Sequence, residues 1–305
     1  MTTTSPTSST GASAAPSTST TDAPSRSREP MGSARAFDIL CVVVLLVFVA
    51  LWVVPTLWAI NTSLKDNGVA ALGAGDILAD THWTLASYAQ LLSQGSMAGW
   101  LLSSAVISLT SVALTVFFAS LAAYALSRLQ FRGKNVVLGV ILVGLMIPPQ
   151  VLIVPWFQEF GALGLLNTYW SVILPAVPQA VAVFVFKQFF DGLPKEIEES
   201  ARLDGASYWT IYRVLIMPLS RPAVSAVAIF TLVLTWNDLL WPLVALTNPD
   251  IMTVPVGLAT VGGTFSQRYA DTMAAAIVGA LPLVLLFLFF QRRIVEGIAG
   301  TGLKG

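Results

Sequence analysis

The run DILCVVVLLVFVALWVVPTLWAI, from Asp38 to Ile60, contains a single charged residue, and that residue stands at its edge. A helix needs about 20 mainly apolar residues to cross roughly 30 Å of hydrocarbon, so this run is long enough to span a bilayer. Backbone polar groups find no water partners in lipid, and a segment of this length satisfies them internally as a helix. Five further stretches read the same way: 98–124, 136–157, 169–189, 222–244 and 272–290. The whole composition agrees: 55% of the 305 residues are hydrophobic and 10% charged, against roughly 25% charged in globular chains. Mean hydropathy is +0.77. The fold class expected is an all-α membrane protein with six transmembrane helices.

Charge distribution orients these spans. Fourteen of the sixteen Lys and Arg residues fall in the N-terminal tail, the second and fourth connections and the C-terminal tail. Only Lys65 and Arg268 lie on the other side. The excess of Lys and Arg marks the cytoplasmic face, so both termini are expected inside. The net charge of zero points to no nucleic-acid partner. Residues 1–25 contain only Met1 and Asp22 outside Ser, Thr, Ala, Gly and Pro, and cannot bury enough apolar area to offset their ordering entropy. Residues 1–37 are therefore read as a disordered cytoplasmic tail and 38–305 as the transmembrane domain.

Several chemistries are excluded. One cysteine, Cys41, cannot form a disulfide or a thiolate metal site within one chain, and His82 stands alone in a polar loop. No metal site or catalytic residue is expected. A phosphate-cradling loop needs Gly, four residues, then Gly-Lys-Ser/Thr. The only Gly-Lys pair, Gly133-Lys134, has Arg128 in the place of the first Gly and Asn135 after it. Prolines interrupt most spans, at Pro55, Pro148, Pro149, Pro155, Pro175, Pro178, Pro242 and Pro282. Each removes a helical hydrogen bond and invites a bend.

The cytoplasmic connection 191–221 is the most distinctive. It reads Glu199-Ser200-Ala201-Arg202-Leu203-Asp204-Gly205-Ala206, with Pro218 further on. Pro194 suits the first position of a helix, with Glu196, Glu198 and Glu199 near the positive end of its dipole. Gly205 offers the left-handed conformation that ends a helix, and Ser207 can cap a second one. In that second helix Trp209, Tyr212, Arg213 and Ile216 recur at spacings of three and four, and Pro218 closes the unit. Taken as composition alone, this is a solvated amphipathic hairpin on the headgroups.

Order and spacing change that reading. The loop resembles the Glu-Ala-Ala…Asp-Gly-Ala…Leu-Pro signature of permease subunits of ABC importers, with Ser200 for the first Ala and Met217 for the Leu. The resemblance runs from about Trp52 to Gly305. Asn61-Thr62-Ser63-Leu64-Lys65, Trp236-Asn237-Asp238 with Pro242, and the ending Gly302-Leu303-Lys304-Gly305 are similar to the maltose-permease-like, sugar-importing branch. The resemblance implies the MetI-like permease fold in a bacterial cell membrane. It implies a coupling helix that docks an ATPase through Glu199, Ala201, Arg202, Asp204, Gly205, Ala206 and Pro218, and an ATPase-contacting tail at Gly302, Leu303, Lys304 and Gly305. It implies as partners a second, non-identical permease, an ABC ATPase dimer carrying ATP and Mg, and an extracytoplasmic solute-binding protein. No cofactor is expected on this chain.

Trp236, Asn237 and Asp238 are candidates for a substrate pathway. Asp238 is the only acidic residue well inside an expected span, where a charge costs about 2.5–3.5 kcal/mol on insertion scales. The two tryptophans at 236 and 241 read as interface anchors in preference to sugar-stacking platforms. The expected function is thus the membrane subunit of a binding-protein-dependent importer for a sugar or oligosaccharide. A glycerol-phosphate importer of the same class and an ion-coupled secondary transporter are the competing readings. Secondary transporters place ionisable residues or broken helices at the midplane; here only Asp238 offers itself, and the cytoplasmic loop would be unexplained.

Overall fold

The computed structural model describes residues 31–302, apart from 72–74, 76, 77, 79, 94 and 262–267. The tail before residue 31 and residues 303–305 lie outside the described residues. The chain divides into two units, Met1–Val54 and Pro55–Gly305. Helix α1 (Met31–Ser63) begins seven residues earlier than the expected tail boundary and runs through Pro55 as one helix of 33 residues. The apolar side chains from Phe37 to Val54 are exposed around its circumference, as suits a helix whose surroundings are lipid or another protein.

The second unit is built around α4 (Ser96–Arg128), which follows two short outer helices, α2 (Asn67–Ala70) and α3 (Ala86–Ser93). Ser103, Ser104, Ser108, Ser111, Thr115, Ala119, Ser120 and Ala123 are buried along α4. Their spacing of three and four residues makes one face of small side chains, which lets neighbouring backbones approach closely in a membrane. Against α4 pack α7 (Tyr169–Ala176), α8 (Ala180–Asp191) and α11 (Arg221–Asn237).

Three helices are long and apolar enough to span alone: Phe37–Ser63, Ser96–Arg128 and Tyr269–Gln291, the last within α14 (Tyr269–Gly302). Three bent pairs bring the number to six. The spans expected at 136–157, 169–189 and 222–244 are each interrupted. Helices α5 (Lys134–Gly144) and α6 (Ile153–Ala162) meet across Pro148 and Pro149; Lys134–Gly144 and Pro149–Ala162 are bent by 90°. Helices α7 and α8 are bent by 43° at Pro178. The third bent pair is Tyr208–Leu219 with Arg221–Asn237, bent by 77°. The fifth apolar run itself stops at Asn237, turns through extended Asp238, and resumes as α12 (Leu240–Ala245).

Broken helices strand backbone groups in a medium that cannot hydrate them. At the α7–α8 break side chains take over: Gln179 Nε2 donates to the Ala176 carbonyl at 3.0 Å and Thr115 Oγ1 to the Val177 carbonyl at 3.2 Å. Thr231 Oγ1 in turn donates to Gln179 Oε1 at 3.2 Å, tying α11 to the same joint. Proline alone does not break a helix here, since Pro55 and Pro282 lie inside continuous ones.

Candidate functional site

Helix α9 (Glu196–Leu203) and helix α10 (Tyr208–Leu219) form the connection 191–221. Glu196 is the first residue of α9 and Lys195 its N-cap, so Pro194 lies two residues ahead of the first helical position expected for it. Glu196, Glu198 and Glu199 occupy the first turn, where the positive end of the helix dipole favours carboxylates. The helix closes in a Schellman motif: Gly205 N–H donates to the Arg202 carbonyl and Ala206 N–H to that of Ala201, each at 3.0 Å. Gly205 stands at φ +81°, and a Cβ added there would meet nothing within 4 Å, so its open side faces away from the chain. Ser207 Oγ then accepts from Thr210 N–H at 3.2 Å and starts α10.

Helix α10 departs from the regular second helix expected. Its central residues Ile211–Ile216 form a π-helix, and Pro218 lies inside α10, with Ser220 beyond its end. A proline has no N–H to give the carbonyl four residues back and its ring crowds that carbonyl, so the turn ahead of it widens. Ile211, Tyr212 and Ile216 are buried against Tyr124, Phe186 and Phe190 in the cluster where α4, α8 and α11 meet. The Tyr212 and Ser120 hydroxyls are 2.8 Å apart, which ties α10 to α4.

Most residues singled out in this loop come together on one surface. Glu199, Arg202, Asp204, Gly205 and Pro218 are exposed, while Ala201 and Ala206 are half-buried against the cluster below. Arg202 lies over the Tyr208 ring, 4.6 Å from its centroid, bridging the two helices across the turn. Two residues escaped the sequence reading. Leu203 is 90% exposed at the tip of the turn, the barest of the apolar side chains on α9 and α10. Glu198 points the other way, buried at 3%, with Arg128 Nε 2.8 Å from its carboxylate. Its position in the α9 repeat, one residue before Glu199, was the only signal for it.

The three pathway candidates separate. Trp236 is buried, its indole N–H donating to the Gly279 carbonyl at 3.2 Å, which makes it a strut between α11 and α14 rather than an interface anchor. Asn237 is exposed and its amide donates back to the Val233 carbonyl at 2.8 Å. Asp238 lies in the break, with its carboxylate close to the backbone N–H groups of Trp241, Leu240 and Leu239. It also lines a groove of about 600 Å³ together with Gln150, Trp156, Gln179, Thr235 and Trp241. Trp241, the other anchor candidate, is buried and donates to the Ser171 carbonyl at 2.8 Å. Gly302 ends α14, and the remaining tail candidates Leu303, Lys304 and Gly305 lie outside the described residues.

Among the described residues no group of three His, Cys, Asp or Glu side chains is placed to hold a metal. Residues 115–299, which include the α9–α10 turn and the groove, match the family profile described as the binding-protein-dependent transport system inner membrane component. The chain is 37% identical over 246 residues to the arabinooligosaccharides transport system permease protein AraQ of Halalkalibacterium halodurans, covering 80% of this chain and 86% of that one. It is 32% identical over 255 residues to the trehalose transport system permease protein SugB of Mycobacterium tuberculosis, covering 82% and 92%. Its fold is similar to a chain in the crystal structure of a bacterial ABC transporter involved in the import of the acidic polysaccharide alginate. That match has a TM-score of 0.75 at 20% identity, over 85% of this chain and 97% of the other.

Proposed function

The chain belongs to the family of binding-protein-dependent transport system inner membrane components, and from that membership we propose that it conducts a carbohydrate, driven through the turn between α9 and α10. It is a multi-pass membrane permease subunit of an ABC importer, a transport subunit and not an enzyme. Such a subunit works with a second permease, an ATPase and a solute-binding protein.

The finer assignment is ours. The second permease is a different chain, and ATP and Mg are held by the ATPase. The turn seats in that ATPase: Leu203 enters an apolar recess, Glu199, Arg202 and Asp204 surround it, and Gly205, Ala201 and Ala206 let the partner approach the backbone. Aromatic and apolar anchors ringed by polar groups carry most of the energy of such contacts. Closure of the ATPase then moves the turn, and the bundle switches from inward- to outward-facing to receive substrate from the binding protein. The names of the relatives, arabinooligosaccharides and trehalose, support a sugar or oligosaccharide as that substrate. Asp238 and Gln179 in the groove supply acceptors for its hydroxyls, while Trp236, buried in the bundle, drops out of the pathway.

One observation carries the docking assignment: a bare leucine at the tip of a turn whose glycine is open on its outer side. The test places a cysteine at Asp204 in a Cys41→Ser background and crosslinks intact cells. Capture of an ATP-hydrolysing subunit is expected; a strong crosslink to lipid or to other proteins alone, with the transporter active, rejects the assignment.

A further inference from the structure

Buried charge is rare in this chain, and one instance joins three elements at a single guanidinium. Arg128 is the last residue of α4, and its side chain is 3% exposed. Its Nη2 donates to the Phe190 carbonyl at 2.6 Å and the Leu193 carbonyl at 2.8 Å, at the C-terminal end of α8. Its Nε lies 2.8 Å from Oε1 of Glu198, whose side chain is 4% exposed in the first turn of α9. The N–H does not point along that short vector, so this contact is held by charge rather than by an aligned hydrogen bond. Glu198 Oε2 also faces Arg202 at 3.7 Å.

We infer that the Arg128–Glu198 pair is the joint through which displacement of α9 reaches the transmembrane helices α4 and α8, with Glu198 and Arg128 acting as positioning residues. The inference rests on the docking role proposed for the α9–α10 turn. Three physical points support it. Each partner, left alone, would be an uncompensated charge out of water, so the pair resists separation far more than an exposed pair does. The guanidinium donates to two carbonyls at the end of α8 while its charge holds Glu198 of α9, so one group engages two other elements at once. The pair also faces inward while Glu199, Leu203 and Asp204 face outward, so α9 carries a docking side and an anchoring side on one helix. α10 is tied to α4 through Tyr212 and Ser120, and Ala201 of α9 packs on the same apolar cluster, so the ion pair is the directional, charged attachment of α9 to α4.

Glu198→Gln keeps the shape and removes the charge; its only effect on the docking side is to weaken the longer, half-exposed contact with Arg202, which the co-purification readout monitors. The experiment purifies the complete transporter with its ATPase, reconstitutes it in vesicles, and measures ATP hydrolysis and substrate uptake together. In the variant the ATPase is expected to co-purify in normal amount and to hydrolyse ATP, while uptake per ATP falls roughly tenfold, the size of a typical coupling between sites. Glu198→Asp, which keeps the charge, should recover part of that ratio. An unchanged ratio in Glu198→Gln overturns the joint while leaving the docking proposal standing. Failure of the ATPase to co-purify even with the unsubstituted chain overturns docking, and the joint with it.

A second measurement needs no change at the pair and decides the matter if Glu198→Gln does not accumulate. Spin labels at Gln130 and Lys195, both exposed, report the distance from the end of α4 to the start of α9. That distance should hold within about 2 Å between resting and ATP-bound states, less than a helix ratchet would give. A larger change means that α9 moves independently of α4, and the joint is wrong.

Discussion

At Gly205 a backbone requirement and a proposed contact meet in one residue. Its φ of +81° is a conformation that costs other residues about 1–2 kcal/mol, least of all asparagine. Nothing in the chain lies within 4 Å of where a Cβ would project. Gly205→Asn is therefore expected to insert in the membrane at wild-type level and to lose uptake, because the added side chain obstructs only a partner. Quantifying the protein in membranes alongside uptake checks this, and normal uptake would remove the turn from the docking surface. Gly205 and Ser207 were legible in the sequence because turn and cap chemistry is local. The division of labour between Glu198 and Glu199 was not. Which of two adjacent acids turns inward depends on Arg128, which sits on a distant helix and approaches only in the folded bundle.

Among elements, the apolar runs were legible and their interruptions were not. Hydropathy records how much of a segment can face lipid, and it gave the limits of α4 to within a few residues of 98–124. It says nothing about where a helix can break, because a break is tolerated only where another element satisfies the freed carbonyls. Gln179 and Thr115 do so between α7 and α8, and the chain breaks at extended Asp238 with no proline there at all. The π-helix in α10 was equally hidden. Close packing adds a constraint of its own at helix α13 (Val254–Val261), where a Cβ on Gly257 would overlap the indole of Trp100 on α4. That indole is buried and its N–H donates to the Pro249 carbonyl at 3.2 Å, so it cannot swing aside freely. Gly257→Ala is expected to destabilise by about 1–3 kcal/mol, the usual cost of overpacking. Thermal unfolding in detergent should show a lower midpoint for it and none for Gly139→Ala, whose added methyl meets nothing within 4 Å. Equal midpoints would contradict the packing of α13 on α4.

For the molecule as a whole, the family and the all-α membrane fold were legible because both rest on features that need no tertiary context, a spaced loop signature and long apolar runs. Orientation remains an expectation, drawn from the asymmetry of Lys and Arg, which is a property of the connections alone. It makes a direct prediction. In a Cys41→Ser background, a cysteine at Asp204 should react with a membrane-impermeant maleimide only after cells are opened, and one at exposed His82 should react in intact cells. The reverse pattern would invert the bundle. The exposed tip of Leu203 has a consequence for biogenesis. A copy of this subunit made in excess of its motor carries into the cytosol a greasy knob with no cover, which is the kind of surface that chaperones hold and proteases sample. Balanced synthesis of the subunits would then act as quality control, with assembly itself hiding the mark of an orphan.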